Sequence, residues 1–193
     1  MTIQLYNYPL INNLNNIIIA GYKNINEPKS LIHVVAYRQN LLEITTFFKL
    51  SSIYNYDIAV DALAVDVLEN EYRFTVTYLI QSSTNNSSIR LETKTTENLF
   101  LISLQGIFPA FNWAEREIWD LSGIFFIKHP DLRRILTDYG FSGHPLRKDF
   151  PISGFKEVQY SDILKQIVYN SVELSQSLRL INTFPSWDNE KTL

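Results

Sequence analysis

Residues 112–151 read NWAEREIWDLSGIFFIKHPDLRRILTDYGFSGHPLRKDFP, and no other part of the chain combines charged, aromatic, glycine and proline residues so densely. We call this stretch the charged segment. From Trp113 to Glu157 there are seven basic and seven acidic residues, so their charges cancel. A surface for nucleic acid or membrane needs an excess of basic residues. Balanced charge among large apolar residues instead indicates a buried or half-buried contact surface.

The whole chain has 193 residues, of which 46% are hydrophobic and 13% aromatic, and its formal charge is -3. This length suits one compact domain with a peripheral extension. The small net charge points to no polyanionic partner such as a nucleic acid. The chain has no cysteine, which excludes disulfides, cysteine-ligated zinc and iron-sulfur clusters. Its apolar runs are far shorter than the ~20 residues that span a bilayer, so no membrane span is predicted.

Hydrophobic periodicity predicts the elements that precede the charged segment. Apolar residues at three- and four-residue steps predict amphipathic helices over residues 3–20, ended by Gly21, and over residues 41–50, ended by Ser51. β-branched or alternating runs predict four strands, at residues 31–37, 54–67, 72–80 and 88–95. Runs of strands flanked by helices indicate an α+β fold, in which helices pack on a mixed or antiparallel sheet.

Residues 154–193 contain apolar residues but no sustained period. Such a segment has no core of its own and must lie on something else, so we predict a long extended arm, on the order of 130 Å if fully extended. Aromatic residues such as Tyr160 and Trp187 favour a wrapping arm over a disordered tail. The predicted division is an N-terminal helix or extension at 1–30, an α+β core at 31–123, and the charged docking segment with its arm at 124–193.

A helix is predicted at the start of the charged segment. Asn112 followed by Glu115 is a capping-box pattern, which predicts a helix that begins at Asn112 and ends at Gly123. Its buried face would hold Ala114, Ile118 and Leu121. Arg116 and Asp120 stand four residues apart, a spacing that permits an ion pair on the exposed side.

Three acidic residues on this helix near two histidines suggest a metal or acid–base site, and the residues that would carry it are Glu117, His129 and His144. A free-standing metal-dependent hydrolase that uses them is the alternative function. Each histidine precedes a proline, which restrains the backbone and favours a structural histidine that is hydrogen-bonded in a turn. Ser122 lacks the G-x-S-x-G elbow of a nucleophile, and no glycine-rich phosphate loop is present. We therefore predict no catalytic, cofactor-binding or metal site in this chain.

Three blocks of the charged segment carry a specific resemblance. They are E-R-E-x-x-D-x-x-G-I at residues 115–124, H-P-D-L-R-R-I-L at 129–136 and G-H-P-L-R-K-D-F-P at 143–151. In this order they resemble the signature of NADH dehydrogenase subunit 9 of respiratory complex I and of its bacterial equivalent. The resemblance extends back to Asp61 and Asp66, in a D-x-x-x-x-D pattern, and forward to PSWD at 185–188.

This resemblance implies a non-catalytic structural subunit in the hydrophilic arm of proton-pumping NADH:ubiquinone oxidoreductase, within its quinone-reducing module. The complex as a whole would be the enzyme, an H+-translocating NADH:ubiquinone reductase. The implied partners are the large subunit that forms the quinone cavity, the small subunit that holds the terminal cluster, and other subunits of the hydrophilic arm. FMN, iron-sulfur clusters and ubiquinone would be bound by partner subunits and not by this chain.

The resemblance and the composition together suggest a location. Ile, Asn, Tyr, Phe and Lys are abundant, as A- and T-rich codons would impose, and no transit peptide is recognisable. We therefore expect a mitochondrially encoded protein on the matrix side of the inner membrane. The cytoplasmic face of a bacterial plasma membrane is the alternative.

We expect the charged residues of the segment to lie buried at contacts between subunits. Arginine suits such contacts because its guanidinium group binds carboxylates and carbonyls through two hydrogen bonds. Removing one partner of a buried ion pair costs about 3–5 kcal/mol, enough to block assembly. The expected interface residues are Glu115, Arg116, Asp120, His129, Asp131, Arg133, Arg134, His144, Arg147, Lys148 and Asp149.

Overall fold

A computed structural model describes residues 18–23, 31–52, 54–68 and 70–176. The chain divides into two compact units, residues 1–150 and 151–193. The first unit contains seven strands and two helices in the order β1 (Ile18–Lys23), β2 (Leu31–Ala36), α1 (Leu41–Leu50), β3 (Ile58–Asp66), β4 (Phe74–Ser82), β5 (Ser87–Thr95), β6 (Leu101–Ile102), α2 (Phe111–Ser122) and β7 (Phe126–Ile127), counted over the described residues. The second unit contains β8 (Lys156–Ser161) and β9 (Gln166–Ser171).

Five strands of the first unit form one sheet in the order β1-β2-β5-β4-β3. β2 and β5 are parallel, and the other neighbours are antiparallel. Strand side chains alternate between the two faces of a sheet. On β5, Ile89 and Leu91 are therefore buried on one face, while Arg90 and Lys94 are exposed on the other. The sheet is mixed, which is one of the two arrangements that the α+β prediction allows.

Both helices contribute to the same hydrophobic core as the sheet. α1 buries Leu41 and Ile44, and α2 buries Phe111, whose ring meets that of Tyr78 on β4 edge-on at 5.1 Å between centroids. Burying one large apolar side chain stabilises the fold by about 1.5–3 kcal/mol. The α+β fold with helices packed on the sheet is thus confirmed.

The strands and the helix predicted between residues 31 and 95 are confirmed, with bounds shifted by a few residues. The helix predicted over residues 3–20 is wrong at Ile18–Ala20, which belong to β1, and residues 3–17 lie outside the described part. Gly21 does not end a helix but lies in β1 opposite Val34. The β-branched pair Ile18 and Ile19 favours a strand once a neighbouring strand is available for pairing.

The second unit begins with a β-hairpin. β8 pairs antiparallel with β9, from Lys156 opposite Ser171 to Ser161 opposite Gln166. Most of its side chains, including Tyr160 and Ile167, are exposed. The arm predicted for residues 154–193 therefore starts as a hairpin that folds back on itself, and residues 177–193 lie outside the described part. No helix in the described part of the chain has the length and apolar character needed to cross a membrane.

We predict that Leu91→Ala lowers the free energy of unfolding of the full chain by about 2–5 kcal/mol, because it leaves a cavity in a fully buried position at the centre of the sheet. The measurement is denaturant unfolding monitored by circular dichroism. Leu63→Ala is the matched control, since Leu63 is half exposed on the edge strand β3. Equal losses for the two variants would contradict the assigned packing.

Candidate functional site

α2 begins at Phe111, and Ala110 occupies its N-cap position without a side-chain capping bond. The predicted capping box between Asn112 and Glu115 is therefore wrong. The Glu115 side chain does not reach back along the helix, because its carboxyl group accepts hydrogen bonds from the Ser103 hydroxyl and from the Leu104 amide at 2.8 Å. It fastens α2 to the connection that follows β6.

Glu115 is completely buried. Among the contacts described, the nearest nitrogen of a basic side chain is Nε2 of His129, 3.9 Å from the carboxyl oxygen. Burial raises the pKa of Glu115 to about 7, although the hydrogen bonds from Ser103 and Leu104 act in the opposite direction. Burial and the charge of Glu115 also raise the pKa of the neighbouring Tyr78 hydroxyl.

The second acidic residue of α2, Asp120, is the anchor of the charged segment. Its buried carboxylate accepts the Arg134 guanidinium Nε–H at 2.7 Å and the Thr137 hydroxyl at 2.7 Å. Three consecutive backbone amides, of Ile135, Leu136 and Thr137, also point at it, at 3.1, 2.7 and 2.9 Å. Burial alone would raise the pKa of Asp120, but these bonds outweigh it and hold the pKa well below its usual range.

The last carbonyl groups of a helix have no partner within the helix and must find one elsewhere. In α2 the charged segment supplies these partners. His144 Nδ1 donates to the carbonyl of Asp120 at 2.9 Å, and the amide of Leu146 donates to that of Leu121 at 3.0 Å. Arg147 donates to the carbonyls of Ser122 and Gly123, at 2.7 and 3.3 Å.

Gly123 allows this close approach. It has a φ of 74°, in the left-handed region, and ends the helix as predicted. A side-chain carbon at this position would lie 2.5 Å from Arg147 Nη2 and 2.6 Å from a carbon of the His144 ring. A glycine is needed here both for its backbone conformation and for the space that Arg147 and His144 occupy.

A second ion cluster holds the end of the charged segment. Arg73 binds the carboxylates of Asp66 at 2.7 Å, Asp149 at 2.8 Å and Glu97. The amide of Lys148 also donates to Asp66, at 2.8 Å. The hydrogen bond from Arg73 is the main reason that the pKa of Asp66 is lowered. Residues 148 and 149 are thereby tied to the ends of β3 and β4.

The predicted ion pair between Arg116 and Asp120 does not form, because Asp120 faces Arg134. Arg116 instead donates to the carbonyl of Arg133 at 3.2 Å and lies over the ring of Trp113, 5.1 Å from its centroid. Trp113 is 66% exposed. This corner of the charged segment therefore presents a tryptophan, held in place by a cation, to the solvent.

The eleven residues expected at an interface fall into two groups. Five carry side chains at or near the surface, namely Arg116, Asp131, Arg133, Lys148 and Asp149. The other six make internal contacts and are buried or half-buried, namely Glu115, Asp120, His129, Arg134, His144 and Arg147. The structure also brings in partners that the sequence pattern did not single out, namely Arg73, Tyr78, Glu97, Ser103 and Thr137. No local sequence pattern identifies them as partners, because they either lie outside the charged segment or are common polar residues within it.

Both histidines make hydrogen bonds to backbone carbonyls of α2. His129 lies within 3.3 Å of the carbonyl of Asn112 near the start of α2, and His144 binds that of Asp120 near its end. These two carbonyls are about 12 Å apart along a helix axis. Glu117 is exposed, and the described residues contain no group of three or more His, Asp or Glu side chains that could hold a metal ion. The alternative of a metal-dependent hydrolase is therefore not supported.

We predict that Asp120→Asn lowers the free energy of unfolding by about 3 kcal/mol near pH 7, because it leaves Arg134 without its charged partner. The lowered pKa of Asp120 means that its stabilising effect is present above pH 3.8 and is lost as the pH falls below that value. The variant should thus lose less stability than the parent between pH 4 and pH 2, as measured by thermal melting. Asp131→Asn, at an exposed pair, is the control and should change little.

We predict that Gly123→Ala lowers the free energy of unfolding by more than about 1–2 kcal/mol, which is the cost of placing an alanine in the left-handed conformation. Gly140→Ala separates the two effects, since Gly140 has a φ of 73° but nothing within 4 Å of an added carbon. Gly106→Ala, with open space and no positive φ, should be neutral. Equal melting temperatures for the Gly123 and Gly140 variants would show that the contact with Arg147 and His144 is loose.

Comparison with known proteins gives the same answer as the sequence blocks. Residues 34–156 match the family described as "Respiratory-chain NADH dehydrogenase, 30 Kd subunit". NADH dehydrogenase (ubiquinone) iron-sulfur protein 3 of Beta trigyna is 44% identical over 148 residues, which make up 77% of either chain. A subunit of the NADH-quinone oxidoreductase of Rhodospirillum rubrum is 42% identical over 160 residues, 83% of this chain and 75% of that protein.

A solved structure shares the fold at low identity. It comes from the membrane-bound sulfane sulfur reductase, an archaeal respiratory membrane complex, with a TM-score of 0.61 and 17% identity. The match covers 75% of this chain and 84% of that one. The resemblance carried by the three sequence blocks is confirmed. This chain belongs to the family of the 30 Kd subunit of respiratory-chain NADH dehydrogenase.

Proposed function

We propose that this chain is a structural subunit of the hydrophilic arm of a proton-pumping NADH:ubiquinone oxidoreductase and that it positions neighbouring subunits rather than reacting itself. One observation carries this proposal. The ionic groups of the charged segment are largely used within the chain, whereas several of its large apolar side chains are left exposed. Tyr139 is 95% exposed, and Trp113, Leu136 and Leu146 are more than half exposed.

Exposed aromatic and aliphatic side chains on a fixed backbone are typical of contact surfaces between proteins. Trp, Tyr and Arg are the residue types that contribute most to such contacts. The backbone that carries them here is fixed by Asp120 and Arg134 at one point and by Arg73 and Asp149 at another. A surface that is ordered before it meets a partner loses less conformational entropy on association.

We propose that the eleven expected interface residues have two roles at this surface. Arg116, Asp131, Arg133, Lys148 and Asp149 contact partner subunits directly. The six with internal contacts, which are Glu115, Asp120, His129, Arg134, His144 and Arg147, position the backbone that carries the contacting side chains. Arg133 is the clearest member of the first group, since its side chain is 74% exposed and, among the contacts described, forms an ion pair only with Asp131, whose side chain is 47% exposed.

β3 offers a second surface that supports a role within an assembly. It lies at the edge of the five-stranded sheet, and no strand in the described part of the chain pairs with its outer side. Four of its apolar side chains, Ile58, Val60, Leu63 and Val65, are exposed. A long, exposed apolar edge strand tends to aggregate unless something covers it. In the complex, a neighbouring protein chain would cover it.

The redox groups belong to the partners in this proposal. The names of the relatives, an iron-sulfur protein 3 of NADH dehydrogenase and a subunit of NADH-quinone oxidoreductase, support membership of the complex. The lack of cysteine leaves the chain without the thiolates that hold iron-sulfur clusters, and we place these clusters, FMN and ubiquinone on other subunits. We place the chain next to the large quinone-cavity subunit and the small terminal-cluster subunit. Its proposed location is the face of the energy-converting membrane on which the hydrophilic arm stands, in a mitochondrion or a bacterium.

Assembly of the complex tests this function. With the variant as the sole copy in the cell, Trp113→Ala should leave the melting temperature of the purified chain unchanged but lower the amount of complex on native gels several-fold. Arg134→Ala should lower both the melting temperature and the amount of complex, because it removes the ion-pair partner of the buried Asp120. NADH:quinone activity per assembled complex should stay normal in both variants, as expected for a subunit without an active site.

Tyr37→Ala provides the control, since Tyr37 is an exposed aromatic residue of the turn before α1, outside the charged segment. It should leave both the melting temperature and the assembly unchanged. Full assembly with Trp113→Ala and Arg134→Ala would refute the proposed role of this surface. Normal amounts of complex with abolished activity would refute the non-catalytic role.

A further inference from the structure

Glu115 is a fully buried carboxyl group, and four groups from three other parts of the fold face it. The Tyr78 side chain comes from β4. The Ser103 hydroxyl and the Leu104 amide come from the connection after β6, and the His129 ring follows β7. Of the titratable side chains among them, only a histidine could bring a positive charge. Whether Glu115 is ionised therefore depends on the protonation state of His129.

The hydrogen bonds of His129 fix this state. Its Nδ1 atom lies 3.2 Å from the backbone amide of Asp131, which can only donate, so Nδ1 must accept and carries no proton. Its Nε2 atom lies 3.3 Å from the carbonyl of Asn112, which can only accept, so Nε2 carries the hydrogen. Together these contacts select the neutral imidazole. His129 therefore supplies no positive charge to balance a carboxylate at Glu115.

Among the described residues, an ionised Glu115 would have no counter-ion, and a buried carboxyl group in that position takes up a proton instead. We propose that Glu115 is a proton-binding residue of this subunit, held as the neutral carboxylic acid in mildly acidic solution, and that losing its proton loosens the contact between α2 and the connection after β6. The raised pKa of Glu115, about 7, agrees with this geometry. The proposal concerns the chain itself and does not depend on its partners.

The direction of the pH effect follows from linkage. The pKa of Glu115 is about 7 in the folded chain, against 4.5 for an exposed glutamate. Its contribution to stability is therefore complete below pH 4.5 and is lost as the pH rises through 7. Across this window one extra proton is bound in the folded state. The equilibrium constant for unfolding should then rise by up to about tenfold per pH unit from this residue alone.

Other titratable groups also change the stability with pH. Comparing the parent with Glu115→Gln cancels their contribution, because both chains contain them. Burial lowers the pKa of His144, and Asp66 and Asp120 have lowered values, but all three are common to parent and variant. Glutamine can still accept the Leu104 amide hydrogen bond, and its own amide can donate to the Ser103 hydroxyl. The variant imitates the protonated acid without being able to lose a proton.

The test is denaturant unfolding of the full chain at pH 5, 6, 7 and 8, for the parent and for Glu115→Gln. The ratio of the two unfolding constants, parent over variant, should rise about tenfold per unit up to pH 7 and level off above it. Parallel pH profiles would overturn the proposal.

Infrared spectroscopy of the native parent chain tests the proposal even if the variant fails to fold, because it does not need the variant. At pH 6 a buried carboxylic acid gives a C=O stretching band in the protonated region, which should disappear with a midpoint near pH 7. Selective labelling of glutamate with carbon-13 assigns the band. A glutamate band that has already converted to carboxylate at pH 5 would overturn the proposal.

Discussion

The contact between Asp120 and residues 134–137 determines the path of the charged segment. Residues 128–150 form no helix or strand, so their backbone groups cannot satisfy one another in a regular ladder. A carboxylate that accepts three consecutive amides and a guanidinium group replaces that ladder at one point. Once Arg134 is fixed there, His144 and Arg147 reach the free carbonyls at the end of α2. The helix end and the irregular chain stabilise each other.

Periodicity was sufficient to predict most elements of the sheet and α1, because their apolar faces repeat within each element. It failed at Ile18–Ala20, where pairing with β2 decides the structure and the local pattern does not. The capping box failed for a similar reason. Ser103 and Leu104 are distant in sequence from Glu115, yet they compete successfully for its side chain.

The pairing of the charged side chains was even harder to predict from the sequence. Asp120 stands four residues from Arg116 but binds Arg134. Arg73 binds Asp149, which lies far from it in the sequence. A spacing of four residues shows only that a pair is allowed, and an exposed pair of that kind is worth little. A buried carboxylate gains more from a donor set that surrounds it. That preference can be recognised only when the fold has brought the donors together.

Two acids on one helix, five positions apart, thus reach opposite protonation states at about pH 6, below the pKa of Glu115 and above that of Asp120. Asp120 has a guanidinium group and a ring of N–H donors, and remains ionised. Glu115 has hydrogen-bond donors but a neutral histidine, and holds a proton in our proposal. An ion pair within the chain neutralises Asp120, and a bound proton neutralises Glu115. Neither residue therefore needs a partner protein to neutralise it.

This internal neutralisation bears on how the protein could associate with its neighbours. Transferring an ion from water to an interface carries a desolvation penalty that the new ion pair often only offsets. Here that penalty is met when the chain itself folds, and the side chains left facing outward include Trp113 and Tyr139. Contacts through such residues gain from the hydrophobic effect without desolvating a charge at each step. The charged segment can therefore be rich in ions and still offer neighbours a surface whose binding energy is mainly apolar.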